Sequence, residues 1–307
     1  MKNLINYYYN LFPDNIHQTD NYLFFLYDNE KYYLFRYDRS LPEVKSLFEL
    51  NIEMLRRNIL VHEIVLNKDR QVITVVDNIP YILMKVYVNE QKKTTLSDIN
   101  YINANTKFIR PDPLLTRNNW IKLWSDKIDF FEYHINQLGK KYPLLRESLS
   151  YFIGLGENAI AYIKNTFDDY KIKEYPDLVV THRRAKCNDT LLYTNNPLCF
   201  VFDSKLRDLS EYIKSSFFSD HDIWSELYQY FKYNKFTPLE YRLLYGRLLY
   251  PSFYFDMYED IINNKIEEKE ILKIIDKVNE YEDFLREFYA YIKLRANIPE
   301  VSWILYK

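Results

Sequence analysis

Apolar and aromatic positions in the first ninety residues come in short runs broken by polar turns. Tyr22–Tyr27 (YLFFLY) and Lys31–Tyr37 (KYYLFRY) flank Asp28 and Asn29, which predicts a β-hairpin. Pro42 opens a segment in which Val44, Leu47, Phe48, Ile52 and Leu55 recur every three or four residues, the signature of an amphipathic helix to about Arg57. Three more strands follow: Glu63–Leu66, Val72–Val76 and Tyr81–Val88. Residues 89–118 are polar, rich in Asn and Thr, and carry Pro111 and Pro113, so they read as a connector or long loop.

Beyond it the period is helical. Trp120, Leu123, Trp124, Ile128, Phe131, Ile135 and Leu138 form one stripe, stopped at Gly139. Leu145–Asn165 is a second helical segment, with a break expected near Gly154 and Gly156. Strand-like islands at Asp177–Thr181, Leu191–Tyr193 and Leu198–Asp203 interrupt the pattern. Helices then run over about 206–218, 221–234, 238–249, 254–263, 267–278 and 279–296. The order is not alternating βαβ, which argues against a doubly wound sheet.

Composition narrows the function. With 48% hydrophobic and 27% charged residues, the 307-residue chain can bury a core. Net charge is −2, so a basic footprint for nucleic acid is missing. No apolar run reaches bilayer length and the N-terminus has no signal-peptide pattern, so a soluble protein made in the cytosol is expected. Cys187 and Cys199 are the only cysteines; with His182 they are too few for a closed zinc site. The 31 Tyr suit an AT-rich codon bias, or selection of tyrosine for oxidative cross-linking. Only 4 Gly are present, against about twenty for a chain of this length.

Candidate chemistry lies in the segment Val180-Thr181-His182-Arg183-Arg184-Ala185-Lys186-Cys187-Asn188-Asp189, followed by Leu198–Asp203. A strand enters His182, a loop follows, and a two-strand ribbon ends at Asp203. This resembles the catalytic loop and metal site of the aminoglycoside phosphotransferase and protein-kinase superfamily. There a His opens the loop, an Asp serves the substrate hydroxyl, and an Asn and a second Asp hold metal. The continuation Arg207-Asp208-Leu209 fits the same pattern. The resemblance implies an α+β, bilobal fold: a small β-rich N-lobe with one helix (1–88), a connector (89–118) and a mainly helical C-lobe (119–307) carrying a degenerate loop at 182–203.

The departures are chemical. Arg184 stands where the catalytic Asp belongs, and a guanidinium cannot accept a hydroxyl proton. Asp189 (Asn188 if the loop is one residue shorter) and Asp203 remain as oxygen ligands for Mg²⁺ or Mn²⁺. No Gly precedes Gly139, so a Gly-rich phosphate loop is excluded. Phe35 or Arg36 occupies the position of the phosphate-binding Lys, and Arg36 has Glu49 or Glu53 within reach on the next helix. Losing one such part commonly costs a few orders of magnitude in rate. No catalytic residue and no cofactor is therefore expected. The other reading is a small-molecule phosphotransferase of the aminoglycoside- or choline-kinase type, using ATP with Mg²⁺ or Mn²⁺ at Asp189 and Asp203. Arg183, Arg184 and Lys186 form a basic cluster suited to an acidic or phosphorylated partner, or a solvated loop.

A narrower likeness covers residues 20–295. The strand Tyr81–Lys85, the helix start Trp120–Trp124, the run Tyr151–Ile160, the His182-Arg183-Arg184 loop and Arg207-Asp208-Leu209 together resemble the spore-coat kinase-like proteins of endospore-forming Firmicutes, the CotS group, and among them the YutH type. The resemblance implies a pseudokinase role in coat assembly, with other spore coat proteins as partners, synthesis in the mother-cell cytoplasm and residence in the coat.

Overall fold

A short helix and then antiparallel strands open the computed structural model, which describes residues 2–19, 22–37, 39–138 and 140–306. The elements in chain order are α1 (Lys2–Tyr9), β1 (Ile16–Gln18), β2 (Tyr22–Tyr27), β3 (Glu30–Arg36), α2 (Leu41–Arg56), β4 (Glu63–Val65), β5 (Thr74–Val76), β6 (Ile79–Val86) and α3 (Leu96–Asn105). They continue as α4 (Trp120–Leu138), α5 (Pro143–Tyr170), β7 (Val179–His182), α6 (Leu191–Thr194) and β8 (Phe200–Asp203). The rest is helical: α7 (Leu206–Phe218), α8 (Trp224–Tyr233), α9 (Pro238–Leu249), α10 (Ser252–Ile262), α11 (Leu272–Ile275), α12 (Val278–Lys293) and α13 (Ser302–Leu305). Two units emerge. The first is Met1–Thr116 with Val179–Arg183 and Asn188–Phe202; the second is Arg117–Leu178, Arg184–Cys187 and Asp203–Lys307.

In the first unit the sheet order is β1-β2-β3-β6-β4, with β5 also on β6, all antiparallel. The β2–β3 and β5–β6 turns are Asp28-Asn29 and Asp77-Asn78, each with positive φ at both residues (52° and 61°, 50° and 61°). That is the turn whose twist matches a hairpin, and short Asx side chains tolerate it without Gly. The period of two then sorts the sheet faces. Leu23, Phe25, Tyr32 and Leu34 pack on Leu4, Ile5 and Tyr9 of α1. Tyr33, Phe35, Ile82, Met84 and Val86 pack on Val44 of α2, Ile64 and Leu192.

Ser40 and Glu43 form a capping box at the start of α2, with Pro42 in its first turn. The buried Asn51 ties the helix to β4. The Asn51 side-chain amide donates to the His62 carbonyl (2.7 Å), and its oxygen accepts from the Ile64 amide (2.9 Å). The β7–β8 ribbon belongs to this unit. Val180, Phe200 and Phe202 share a core with Leu47, Leu50 and Met54 of α2 and Ile102 of α3.

In the second unit α4, α5, α7, α9, α10 and α12 bury a largely aromatic core. Trp124 stacks on Tyr250 (4.2 Å), Phe131 on Phe255 (4.8 Å) and Phe152 on Tyr254 (3.7 Å). Helix α5 runs unbroken through Gly154 and Gly156, where a break was expected. Gly156 has a packing role instead: a Cβ there would meet the Ile128 side chain at 2.9 Å. Gly139, the expected stop of α4, lies outside the described residues.

Other expectations also need correcting. The connector holds α3, capped by Thr95, with Leu96, Ile99 and Ile102 buried. Residues 191–193 are not a strand but part of α6. Residues 267–278 form a 3₁₀ turn (Glu268–Ile271) and the short α11, which bury Ile271 and Ile274 at the spacing of three that a 3₁₀ turn presents. Helix α1 and strand β1 lie where no element was read. Among the described residues no helix is long and apolar enough to cross a membrane.

Candidate functional site

The loop begins where β7 ends. His182 is buried, with its Nε2 2.8 Å from the Thr194 carbonyl and its ring edge-on to Phe200. The Arg183 amide donates to the Cys199 carbonyl at 2.8 Å, so the start of the loop is tied to the start of β8. Asp189 is half-buried, and its carbonyl accepts from the Thr94 amide at 2.9 Å. His182 and Asp189 fall in the first unit, Arg184 and Asp203 in the second.

Arg184 makes a two-pronged ion pair with Asp256 of α10. Its Nε donates to one carboxylate oxygen and its Nη2 to the other at 2.7 Å. Glu211 of α7 lies 3.7 Å from the same Nε, and Lys127 of α4 reaches Asp256 at 3.4 Å. Burial works against the Arg184 charge, yet Asp256 and Glu211 hold its pKa above the ordinary value. Burial likewise opposes ionisation of Asp256, and Arg184 outweighs it, holding that carboxyl below the usual range. An arginine paired in this way is a fixed cation with no capacity to take up a proton.

Asp203 closes β8 and is fully buried. Its Oδ1 accepts from the Trp120 indole N–H (2.8 Å) and the Ser204 amide (2.7 Å). Its Oδ2 accepts from Arg207 Nη1 (3.0 Å) and faces Arg247 Nη1 at 3.7 Å. Arg247 itself is buried beneath Trp120, its guanidinium 4.5 Å from the ring centre, and its Nη1 has no hydrogen bond. Burial lowers the Arg247 pKa to about 10 despite Asp203.

One residue joins these two centres. Glu211 lies 3.7 Å from Arg247 Nη2 and 2.8 Å from Lys214 Nζ, and it accepts from the Ser252 hydroxyl (2.9 Å). Burial would raise its pKa, but Lys214, Arg184 and Arg247 hold it well below the carboxylate range. Lys214 is 2% exposed and satisfied by Glu211, Ser252 (2.5 Å) and the carbonyls of Arg247 and Tyr250. Burial depresses its pKa to about 8. The result is a continuous chain of charges: Asp203, Arg247, Glu211, Lys214 and Arg184, then Asp256 and Lys127.

A divalent ion needs carboxylate oxygens facing an open position. Asp203 directs one oxygen at N–H donors and the other at guanidinium groups. Among the described residues no group of three or more His, Cys, Asp or Glu side chains is arranged to hold a metal ion. Arg36 and Glu49 are both exposed, and among the described residues no ion pair joins them; Glu53 pairs with Arg57 (2.6 Å). The basic side chain with a buried acidic partner on this sheet is Lys31, which meets Glu90 at 2.5 Å, and Tyr33 donates to the same carboxylate.

Sequence reasoning found Arg184 and Asp203 but missed their partners Trp120, Glu211, Arg247 and Asp256. A signal existed for one of them. Asp256 is the first acid in the aromatic run Ser252–Ile262, and an acid on such a face requires a cation.

The profile of the family described as "Spore coat putative kinase YutH" matches residues 2–288. The endospore coat-associated protein YutH of Bacillus subtilis (strain 168) is 30% identical over 208 residues, 60% of this chain and 61% of that protein, so the match spans less than two thirds of the relative. An aminoglycoside phosphotransferase from Alicyclobacillus acidocaldarius has a similar fold, with a TM-score of 0.67 at 10% identity over 93% of this chain and 94% of that one. An AMP-bound spectinomycin phosphotransferase aligns with a TM-score of 0.54 at 12% identity, covering 95% and 93%.

Proposed function

The chain belongs to the YutH family of spore coat kinase-like proteins, and from that premise we propose that it serves the coat as an interaction protein that transfers no phosphate. The observation that carries this reading is the fate of two positions. Where a phosphotransferase has a catalytic acid, Arg184 is clamped between Asp256 and Glu211. Where it has a metal-holding acid, Asp203 is consumed by Trp120, Arg207 and Arg247. Phosphoryl transfer rests on metal and preorganised charge around the moving group. Here one position is a cation held by the protein's own acids, and the other is an acid held by the protein's own cations. The sheet face adds to this, because Tyr33, Phe35, Ile82 and Met84 share one buried core with Leu192. The partners on this reading are other coat proteins, and the site of action is the coat.

Thermal unfolding with and without ATP, each in Mg²⁺, Mn²⁺ or EDTA, tests the proposal. A ligand at one hundred times its Kd stabilises by about 2.7 kcal/mol, which at roughly 2–4 °C per kcal/mol is an unmistakable shift. No metal-dependent shift at millimolar ATP is expected. A metal-dependent shift lost in Asp189→Asn, or metal-dependent ATP turnover, overturns the reading in favour of a small-molecule phosphotransferase.

A further inference from the structure

Where Arg184 and Lys214 come together, α7, α10 and α11 enclose a cavity of about 320 Å³. This is the lower end of the volume range of small-molecule sites, enough for one ring with a short chain. One wall is apolar: Phe218, Phe253, Met257 and Ile274. The other is charged, and its charges are almost all neutralised within the protein. Asp256 is taken by Arg184 and Lys127, and Glu211 by Lys214, Arg184 and Arg247. Asp260 is taken by Lys265, and Lys273 by Glu270. Every carboxylate on the wall has its cation. Lys186 lines the cavity, is exposed, and has no acidic partner among the described residues. Ser215 also lines the cavity; its hydroxyl accepts from the Cys187 amide (3.2 Å) and donates to Cys187 Sγ (3.5 Å).

We propose that this cavity binds a small organic anion: a carboxylate or similar monoanion on an aromatic or branched apolar body. The anionic end would pair with Lys186 beside Ser215, and the body would lie against Phe218, Phe253 and Met257. A cationic ligand finds no free acid on this wall. The proposal does not depend on whether the chain binds nucleotide.

Ligand-observed ¹⁹F NMR of the whole protein tests it with three probes of one shape: 4-fluorophenylacetate, 4-fluorophenethylamine and 4-fluorobenzyl alcohol. The anion is expected to broaden and to bind at least about fivefold tighter than the other two, the size of one partly exposed charge contact. Lys186→Glu removes that preference. Met257→Trp fills the cavity and abolishes binding; should it fail to fold, Lys186→Glu and the exposed Lys186→Ala carry the test alone. Equal binding of the three probes overturns the proposal. So does tighter binding of the amine, an unbroadened anion at millimolar concentration, or retention of anion preference in Lys186→Glu.

Discussion

Replacing Asp203 with Ala separates two roles that an acid in this place can have. An acid kept for a metal ion is held among open or like-charged groups, and removing it leaves stability unchanged or improves it. Asp203 is instead fully buried, and it is the anion for two cations. Its loss deprives the Trp120 indole N–H of its acceptor, removes the carboxylate that accepts from Arg207 Nη1, and leaves Arg247 Nη1, already without a hydrogen bond, facing an apolar methyl. Breaking a buried pair from one side costs about 3–5 kcal/mol. Arg247 keeps Glu211 at 3.7 Å, which favours the lower end. At roughly 2–4 °C per kcal/mol the melting temperature should fall by about 6–12 °C. Asp203→Asn keeps an oxygen for Trp120 while losing the charge, and should fall between the two. Circular dichroism melts of the three proteins in EDTA decide the matter. An alanine variant within one degree of the parent, or above it, would refute the reading of Asp203 as a structural anion.

Acid should act on the same network. Glu211 and Asp256 have pKa values held below the ordinary carboxylate range by their cationic partners. Between about pH 5 and 2 the unfolded chain therefore binds more protons than the folded one, so this stabilisation is complete above about pH 5 and lost as the pH falls. The urea midpoint should drop over that window with a shallower slope in Glu211→Gln; identical slopes would assign the acid sensitivity elsewhere. In the first unit, Asn51→Ala orphans the Ile64 amide and the His62 carbonyl, and should cost about 2–6 kcal/mol in chemical denaturation at about 1–3 kcal/mol per buried unsatisfied group. A loss below 1 kcal/mol would mean that water replaces the amide.

The sheet and the main helices were legible because their chemistry is local. Asp28-Asn29 between two aromatic runs reads as a hairpin, and Val44 and Leu47 of the expected stripe lie on the buried face of α2. Elements of weaker local signal escaped. Helix α3 is masked by an Asn- and Thr-rich stretch and stands out only by Leu96, Ile99 and Ile102. The residues Leu191-Leu192-Tyr193 look like a strand but are wound by Thr190 into α6, where both leucines are buried. The site was legible only as an anomaly. Arg184 and Asp203 were visible as the wrong and the right residue for a catalytic loop, but the acid that pairs Arg184 is 72 residues away at Asp256 and the indole that donates to Asp203 is 83 residues away at Trp120. Pairings of that range leave no period and no spacing to read. Only the rule that a buried charge has a partner foretells that they exist.

The left-handed turns bear on how such a chain ages. Asn10, Asp28, Asn29, Asn58, Asp77, Asn78, Asp220 and Asn264 all adopt positive φ, a conformation usually left to glycine. With four glycines, preceded by Leu138, Ile153, Leu155 and Tyr245, the chain has no Asn-Gly or Asp-Gly bond. Those are the bonds at which a side chain most readily closes on the following amide to form a succinimide, because glycine offers no steric obstacle. Each turn here is followed by a residue with a β-carbon, which obstructs that ring closure. The use of Asn and Asp in place of Gly at these turns also removes their fastest route of spontaneous deamidation and backbone isomerisation, a slow chemical clock for any long-lived protein.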